Sequence, residues 1–167
     1  MQQSHYAELL QPLLRQAAGY AHSILRNRDQ AQDAVQQAAL RGLERLRTFD
    51  DTRSFREWWF AILRNCCIDL LRADKSAKHV STDALDLEDP RLTDARQSEQ
   101  ETDAGEQLMR AIACLSDDHQ EILRLKYFAD LSYKELAAAL NIPQGTVMSR
   151  LHLARIALAA KMKKEET

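Results

Sequence analysis

The stretch NIPQGTVMSRLHLAR, residues 141–155, concentrates side chains suited to polar recognition. Thr146, Ser149, Arg150, His152 and Arg155 bring two hydroxyls, an imidazole and two guanidiniums into a short segment. They follow Pro143 and Gly145, which interrupt an otherwise helical pattern. Pro143 suits the first turn of a helix, where its missing N–H is not needed. Val147, Leu151, Ala154 and Leu158 recur at helical spacing, so this stripe should face a core. The opposite side then carries Thr146, Ser149, Arg150 and Leu153, flanked by Met148, His152 and Arg155. Hydroxyls and cations just after a helix N-terminus suit phosphates and major-groove base edges. A short helix over 133–140, a turn at Asn141-Ile142-Pro143 and a second helix from 144 predict a helix-turn-helix. An ordinary helical hairpin with a solvated charged face is the plain alternative, but turn chemistry and exposed-face chemistry agree against it.

No comparable case exists for catalysis. The five histidines, His5, His22, His79, His119 and His152, are scattered without metal-ligand spacing. There is no nucleophile motif, no glycine-rich phosphate loop and no internal repeat. No cofactor is implied. The cysteines Cys66, Cys67 and Cys114 form neither a disulfide framework nor a zinc pattern. All three fall in apolar helical patterns, so the expectation is small buried hydrophobes.

With 45% hydrophobic residues, four glycines and three prolines in 167 residues, turn signals are scarce. Long Ala/Leu/Gln/Arg/Glu stretches favour helix. The expected fold class is all-α, as two small helical domains. The chain starts with no basic-then-apolar leader pattern, and no apolar run is long enough to span a bilayer. The expectation is a soluble, cytoplasmic protein with no membrane insertion. Net charge is −2 but unevenly spread: +3 over residues 1–80, −7 over 81–106 and +2 over 107–167. Two mildly basic ends flank an acidic middle.

Periodicity predicts a helix over 5–25, with Pro12 marking a kink or a later start. Asn27-Arg28-Asp29 is a polar break with an N-cap, followed by a helix over 30–47. Its stripe would be Ala31, Val35, Ala39 or Ala38, Gly42 or Leu43, and Leu46. Residues 49–53 form a loop, and Ser54-Phe55-Arg56-Glu57 is a capping-box pattern opening a helix over 55–73. That helix turns Phe55, Trp59, Ile62, Cys66 and Leu70 to the core. Trp58 is undecided between core and surface, and for Phe60 an outward position facing a partner is left open. Residues 76–106 are too polar and acidic to bury a core and form a linker. Helices return over 107–114, up to 128 behind Ser116-Asp117-Asp118, over 133–140 behind a capping box at Ser132-Tyr133-Lys134-Glu135, and over 144–162. The expected domains are therefore residues 1–75 and 107–167.

The segment LSYKELAAALNIPQGTVMSRLHLAR closely resembles region 4 of the extracytoplasmic-function (ECF) sigma factors, bacterial sigma-70-type initiation subunits. It matches S-Y-x-E-[IL]-A through Ser132, Tyr133, Glu135, Leu136 and Ala137. It matches G-T-V-x-S-R-[LI]-x-x-A-R through Gly145, Thr146, Val147, Ser149, Arg150, Leu151, Ala154 and Arg155. A basic residue often precedes the final A-R pair; here it is Leu153. FREWWFAILRNCCIDLLR resembles region 2 through Phe55, Arg56, Trp58, Ile62, Arg64, Asn65, Ile68, Asp69, Leu70 and Arg72. QDAVQQAAL resembles a second region 2 segment through Asp33, Val35, Gln36 and Leu40, but has Gln32, Gln37 and Ala39 where Glu, Glu and Phe are usual.

The resemblance implies an alternative sigma factor, not an enzyme, that directs promoter-specific initiation by core RNA polymerase. Region 4 would enter the major groove of the −35 element through Gly145, Thr146, Ser149, Arg150, His152 and Arg155. Region 2 would hold a strand of the opened −10 element through Arg53 and Ser54 of the loop and Arg64, Asn65, Asp69 and Arg72 of the following helix. These last four share one broad helical face. Asn65 suits base edges, and Arg64 and Arg72 suit phosphate. Asp33, Gln36 and Leu40 would grip the β′ clamp helices, with the β flap as a further polymerase contact. An anti-sigma factor is the other implied partner, and the acidic linker would follow a path meant for RNA. A free-standing helix-turn-helix regulator binding duplex DNA as a dimer explains the C-terminal half but leaves the FREWWFAILRN helix without a role.

Overall fold

A computed structural model describes residues 3–80 and 103–165. Its helices in chain order are α1 (Gln3–Leu10), α2 (Leu14–Leu25), α3 (Arg28–Glu44), α4 (Phe55–Val80), α5 (Asp103–Ala113), α6 (Asp117–Tyr127), α7 (Tyr133–Leu140) and α8 (Gln144–Glu165). The described residues contain no strand. Contacts divide them into two compact units, one within residues 1–95 and one within 96–167. Most of the stretch expected as a linker lies outside the described residues; its ends belong to α4 and α5.

In the first unit α2, α3 and α4 pack on one another, with α1 against α3. Pro12 breaks the expected first helix: one 3-10 turn, Gln11–Leu13, separates α1 from α2. Asn27 caps α3, its side-chain oxygen accepting from the Gln30 N–H at 2.9 Å. The buried stripe of α3 is Ala31, Ala34, Ala38 and Gly42, so Val35 and Ala39 sit half-buried beside it. Small side chains there let the backbones of α3 and α4 approach closely.

Into that space α4 puts Trp59, Phe60, Leu63, Cys66 and Cys67, all fully buried. Phe60 is buried, which closes the option of a partner-facing ring that the sequence left open. It meets Tyr20 of α2 edge-on at 5.6 Å and Trp59 at 5.5 Å. Aromatic edge-to-face pairs add to what area burial provides. Trp58 is half-buried, packed with Phe49 and Phe55 under the loop before α4. Cys114 corrects the expectation of a buried cysteine. It lies just past the end of α5 and is exposed, while Cys66 and Cys67 are buried.

A polar tie fixes α1 to both partners. The Trp59 Nε1–H donates to the Tyr6 hydroxyl at 3.1 Å, and that hydroxyl donates to the Ala39 carbonyl at 2.8 Å. Each polar atom of the buried pair is thereby satisfied, which avoids a desolvation cost of about 1–3 kcal/mol per orphan.

The second unit packs α5, α6 and α7 onto α8. Ile112, Ile122, Leu125, Leu131, Leu136, Val147, Leu151 and Ala154 fill its core. Ser116 stands at the N-cap position of α6 without a side-chain cap bond, while Asp117 and Asp118 occupy the positive end of the helix dipole. The capping box of α7 is complete: Glu135 N–H donates to Ser132 Oγ at 3.2 Å, and Ser132 N–H to Glu135 Oε2 at 2.8 Å.

Gly42 is where the first unit is tightest. A Cβ there would press into the Tyr6 hydroxyl and lie 3.2 Å from Tyr6 Cζ and 3.3 Å from Trp59 Cδ1. Gly42→Ala should destabilise the protein by about 1–3 kcal/mol in urea unfolding, against the helix propensity of alanine. In a Tyr6→Phe background the loss should shrink; an unchanged loss there would rule out this clash as its cause.

Candidate nucleic-acid interface

The turn between α7 and α8 is built by Asn141, not by glycine. Asn141 adopts a left-handed conformation at φ 52°, which asparagine tolerates better than most residues. The Ile142 N–H then closes back on the Ala137 carbonyl at 3.0 Å. Pro143 directly precedes α8, and its carbonyl accepts the Val147 N–H at 3.1 Å. Gly145 takes no part in the turn itself, in keeping with a helix expected from residue 144. It lies inside α8 with no positive φ, and a Cβ on it would meet nothing within 4 Å.

Val147, Leu151 and Ala154 are buried and Leu158 half-buried, as the apolar stripe requires. Opposite them, Gly145, Ser149 and His152 make an exposed ridge. Met148 and Leu153 flank that ridge with 55% and 56% of their surfaces exposed. Thr146 is half-buried, and its carbonyl accepts the Ser149 hydroxyl at 3.1 Å. The arginines sit elsewhere. At about 100° per residue, Arg150 and Arg155 fall roughly 70° to either side of the buried stripe's centre, at the edges of the outward face.

Both edge arginines are held from the body of the unit. Arg150 Nη1 lies 3.5 Å from Asp118 Oδ2 in the first turn of α6. Arg155 Nε–H donates to the Tyr127 hydroxyl at 2.7 Å, with its guanidinium 5.8 Å from that ring's centre. The Tyr127 bond, supported by Tyr133, raises the Arg155 pKa above the usual guanidinium value. Tyr127 and Asp118 were not legible as site residues, because their partners lie on another helix.

In the first unit the loop before α4 is ordered by its own side chains. Asp50 accepts from the Thr52 hydroxyl at 2.7 Å and the Thr52 N–H at 3.0 Å. These bonds hold the Asp50 carboxyl below the usual carboxylate range. The Arg53 N–H donates to the Asp50 carbonyl at 3.0 Å. The Arg53 guanidinium pairs with the buried Glu57 carboxylate, and the Glu57 backbone N–H donates to Ser54 Oγ at 3.4 Å.

Along α4, Asn65 and Arg72 are exposed and Arg64 is half-buried. Asp69 is also exposed but is engaged by Arg41 Nη1 of α3 at 2.9 Å. Sequence reasoning missed Arg41, since no local spacing links two residues on different helices. On α3, Asp33, Gln36 and Leu40 form one exposed ridge, and Leu40 leaves 64% of its surface uncovered.

Comparison with known proteins places these two units. Residues 9–89 match the family model for sigma-70 region 2, and residues 105–158 match that for sigma-70 region 4. The chain is 31% identical over 150 residues to the ECF RNA polymerase sigma factor RpoE of Cereibacter sphaeroides, covering 89% of this chain and 81% of the relative. It is 29% identical over 150 residues to SigW of Bacillus subtilis, covering 85% and 80%. It is 32% identical over 143 residues to SigL of Mycobacterium tuberculosis, covering 83% and 78%. Among solved structures, the fold is similar to the sigma factor RpoE in complex with the anti-sigma factor NepR from Bartonella quintana. The TM-score is 0.74 at 24% identity, covering 96% of this chain and 98% of that one. It is similar also to CnrH in complex with the cytosolic domain of CnrY, at TM-score 0.73 and 22% identity, covering 98% and 90%. Two region models in their proper order, with relatives matched along most of their length, lead to one conclusion: the chain belongs to the ECF sigma factors of the sigma-70 family.

Proposed function

We propose that this chain binds core RNA polymerase and directs promoter-specific transcription initiation as an alternative sigma factor, with the polymerase performing the chemistry. The observation that carries the reading is the joint match to regions 2 and 4. A free-standing duplex regulator would account for residues 105–158 alone. No helix among the described residues is long and apolar enough to cross a membrane. The proposed location is the cytoplasm, where core polymerase works.

Region 4 inserts the outward face of α8 into the −35 major groove. Gly145 supports this role through what it lacks. Glycine is a poor helix former compared with alanine, and neither backbone conformation nor internal packing requires one here in the first turn of α8. Close approach of a DNA backbone would. Thr146, Ser149 and His152 contact bases and sugar-phosphate from the same turns. Arg150 and Arg155, at the two edges of the face, suit the phosphates lining the groove. Region 2 holds the −10 strand between the ordered 49–54 loop, with Arg53 and Ser54, and the Arg64, Asn65, Asp69 and Arg72 side of α4. Unstacking a base costs a few kcal/mol, so a loop already organised by Asp50 limits the further entropy lost on binding. Asp33, Gln36 and the uncovered Leu40 meet the β′ clamp helices, with the β flap as the other polymerase contact. The neighbours solved with NepR and CnrY support an anti-sigma factor as a further partner.

Reconstitution tests the whole reading. Purified chain added to sigma-free core polymerase should produce transcripts from a subset of a promoter library; none above the core-only background would reject it. Gly145→Ala should leave stability unchanged or slightly raised yet weaken binding to the −35 duplex. Unchanged or tighter binding would remove the close-approach argument. Asn65→Ala should slow open-complex formation on intact duplex while sparing closed-complex affinity. A loss shared equally by both steps would count against contact with the single strand.

A further inference from the structure

We propose that this chain reads thymine 5-methyl groups in the −35 element with Met148 and Leu153, so that its duplex specificity comes from apolar contacts rather than from arginine–guanine pairs. The inference rests on the sigma-factor reading above and narrows what region 4 recognises.

Two observations carry it. First, the outward face of α8 keeps large apolar side chains in water. Met148 and Leu153 are each more than half exposed, on either side of the Gly145, Ser149 and His152 ridge. Single exposed apolar residues are ordinary, but these two flank the ridge that would enter the groove, within the N-terminal turns that contact bases in helix-turn-helix proteins. Second, the cations that would read guanine are drawn off that face. Arg150 is paired with Asp118 on α6, and Arg155 gives its Nε–H to Tyr127. A guanine is read by a guanidinium or ammonium aimed at its N7 and O6, and no other Lys or Arg occurs between residues 144 and 155. The thymine methyl is the one apolar group the major groove displays. Leucine and methionine match it, while Ser149 and His152 supply hydrogen bonds to neighbouring edges.

The test uses the full chain with core polymerase. Functional −35 elements are first selected from a randomised library by in vitro transcription, then each thymine is replaced singly by deoxyuracil, which removes only the methyl group. At one or two positions the replacement should weaken promoter binding roughly fourfold, the transfer value of about one buried methylene. Leu153→Ala and Met148→Ala should each erase the methyl dependence at one position and leave the other intact. Both residues are exposed, so folding should survive. Leu153→Arg should move the selected base at its position from thymine toward guanine. Promoter-dependent transcription that ignores deoxyuracil at every position would overturn this proposal while leaving the sigma-factor reading standing. Failure to select any promoter would strike that reading first and this one with it.

Discussion

Burial of Trp59 is the constraint on which the first unit depends. Its ring has no exposed surface, and its one polar atom donates to Tyr6, which in turn donates to α3. Replacing such a residue by alanine typically costs about 3–5 kcal/mol, a large share of the stability of a small domain. The helix cannot rotate without exposing the indole or orphaning that hydrogen bond. The rotation of α4 therefore decides which residues face outward: Asn65 and Arg72 rather than Phe60. The second unit follows the same logic, with Val147, Leu151 and Ala154 setting the rotation of α8.

The charged residues are held as well as presented. Arg41–Asp69, Arg53–Glu57, Arg150–Asp118 and Arg155–Tyr127 all restrain a guanidinium. Exposed pairs of this kind contribute about 0–1 kcal/mol, too little to hold the fold. Their consequence is orientation. A side chain kept near one rotamer at the rim of the face loses less entropy when a backbone phosphate arrives there. Arg53 differs, because its Glu57 partner is buried and would be left an unpaired charge if Arg53 departed.

Membership in the ECF sigma factors joins these features to a task needing two kinds of nucleic-acid contact. In the proposed role a duplex would be met by a helix face with small and uncharged side chains at its centre and arginines at its rims. A separated strand would be met by a short loop locked by Asp50 and by the polar side of one long helix. The conformational entropy of ordering a loop of this length is several kcal/mol at about 1–2 kcal/mol per residue. Its internal hydrogen bonds meet part of that cost during folding.

How much was legible differs by the range of the interaction involved. The sequence by itself determined the all-α class, the breaks at Pro12 and Asn141, the caps at Asn27 and Ser132, the apolar stripe of α8 and the motifs of both regions. All of these depend on backbone chemistry or on spacings within one helix. Only the tertiary structure decided that Phe60 is core, that Cys114 is exposed and that the α3 stripe runs through Ala34 and Ala38. It alone paired Arg150 with Asp118, Arg155 with Tyr127 and Asp69 with Arg41. Periodicity states that a helix has an inside, but the width of that inside depends on how many neighbours pack against it. Which charges remain for a ligand depends on side chains arriving from other helices, and no local spacing encodes their arrival.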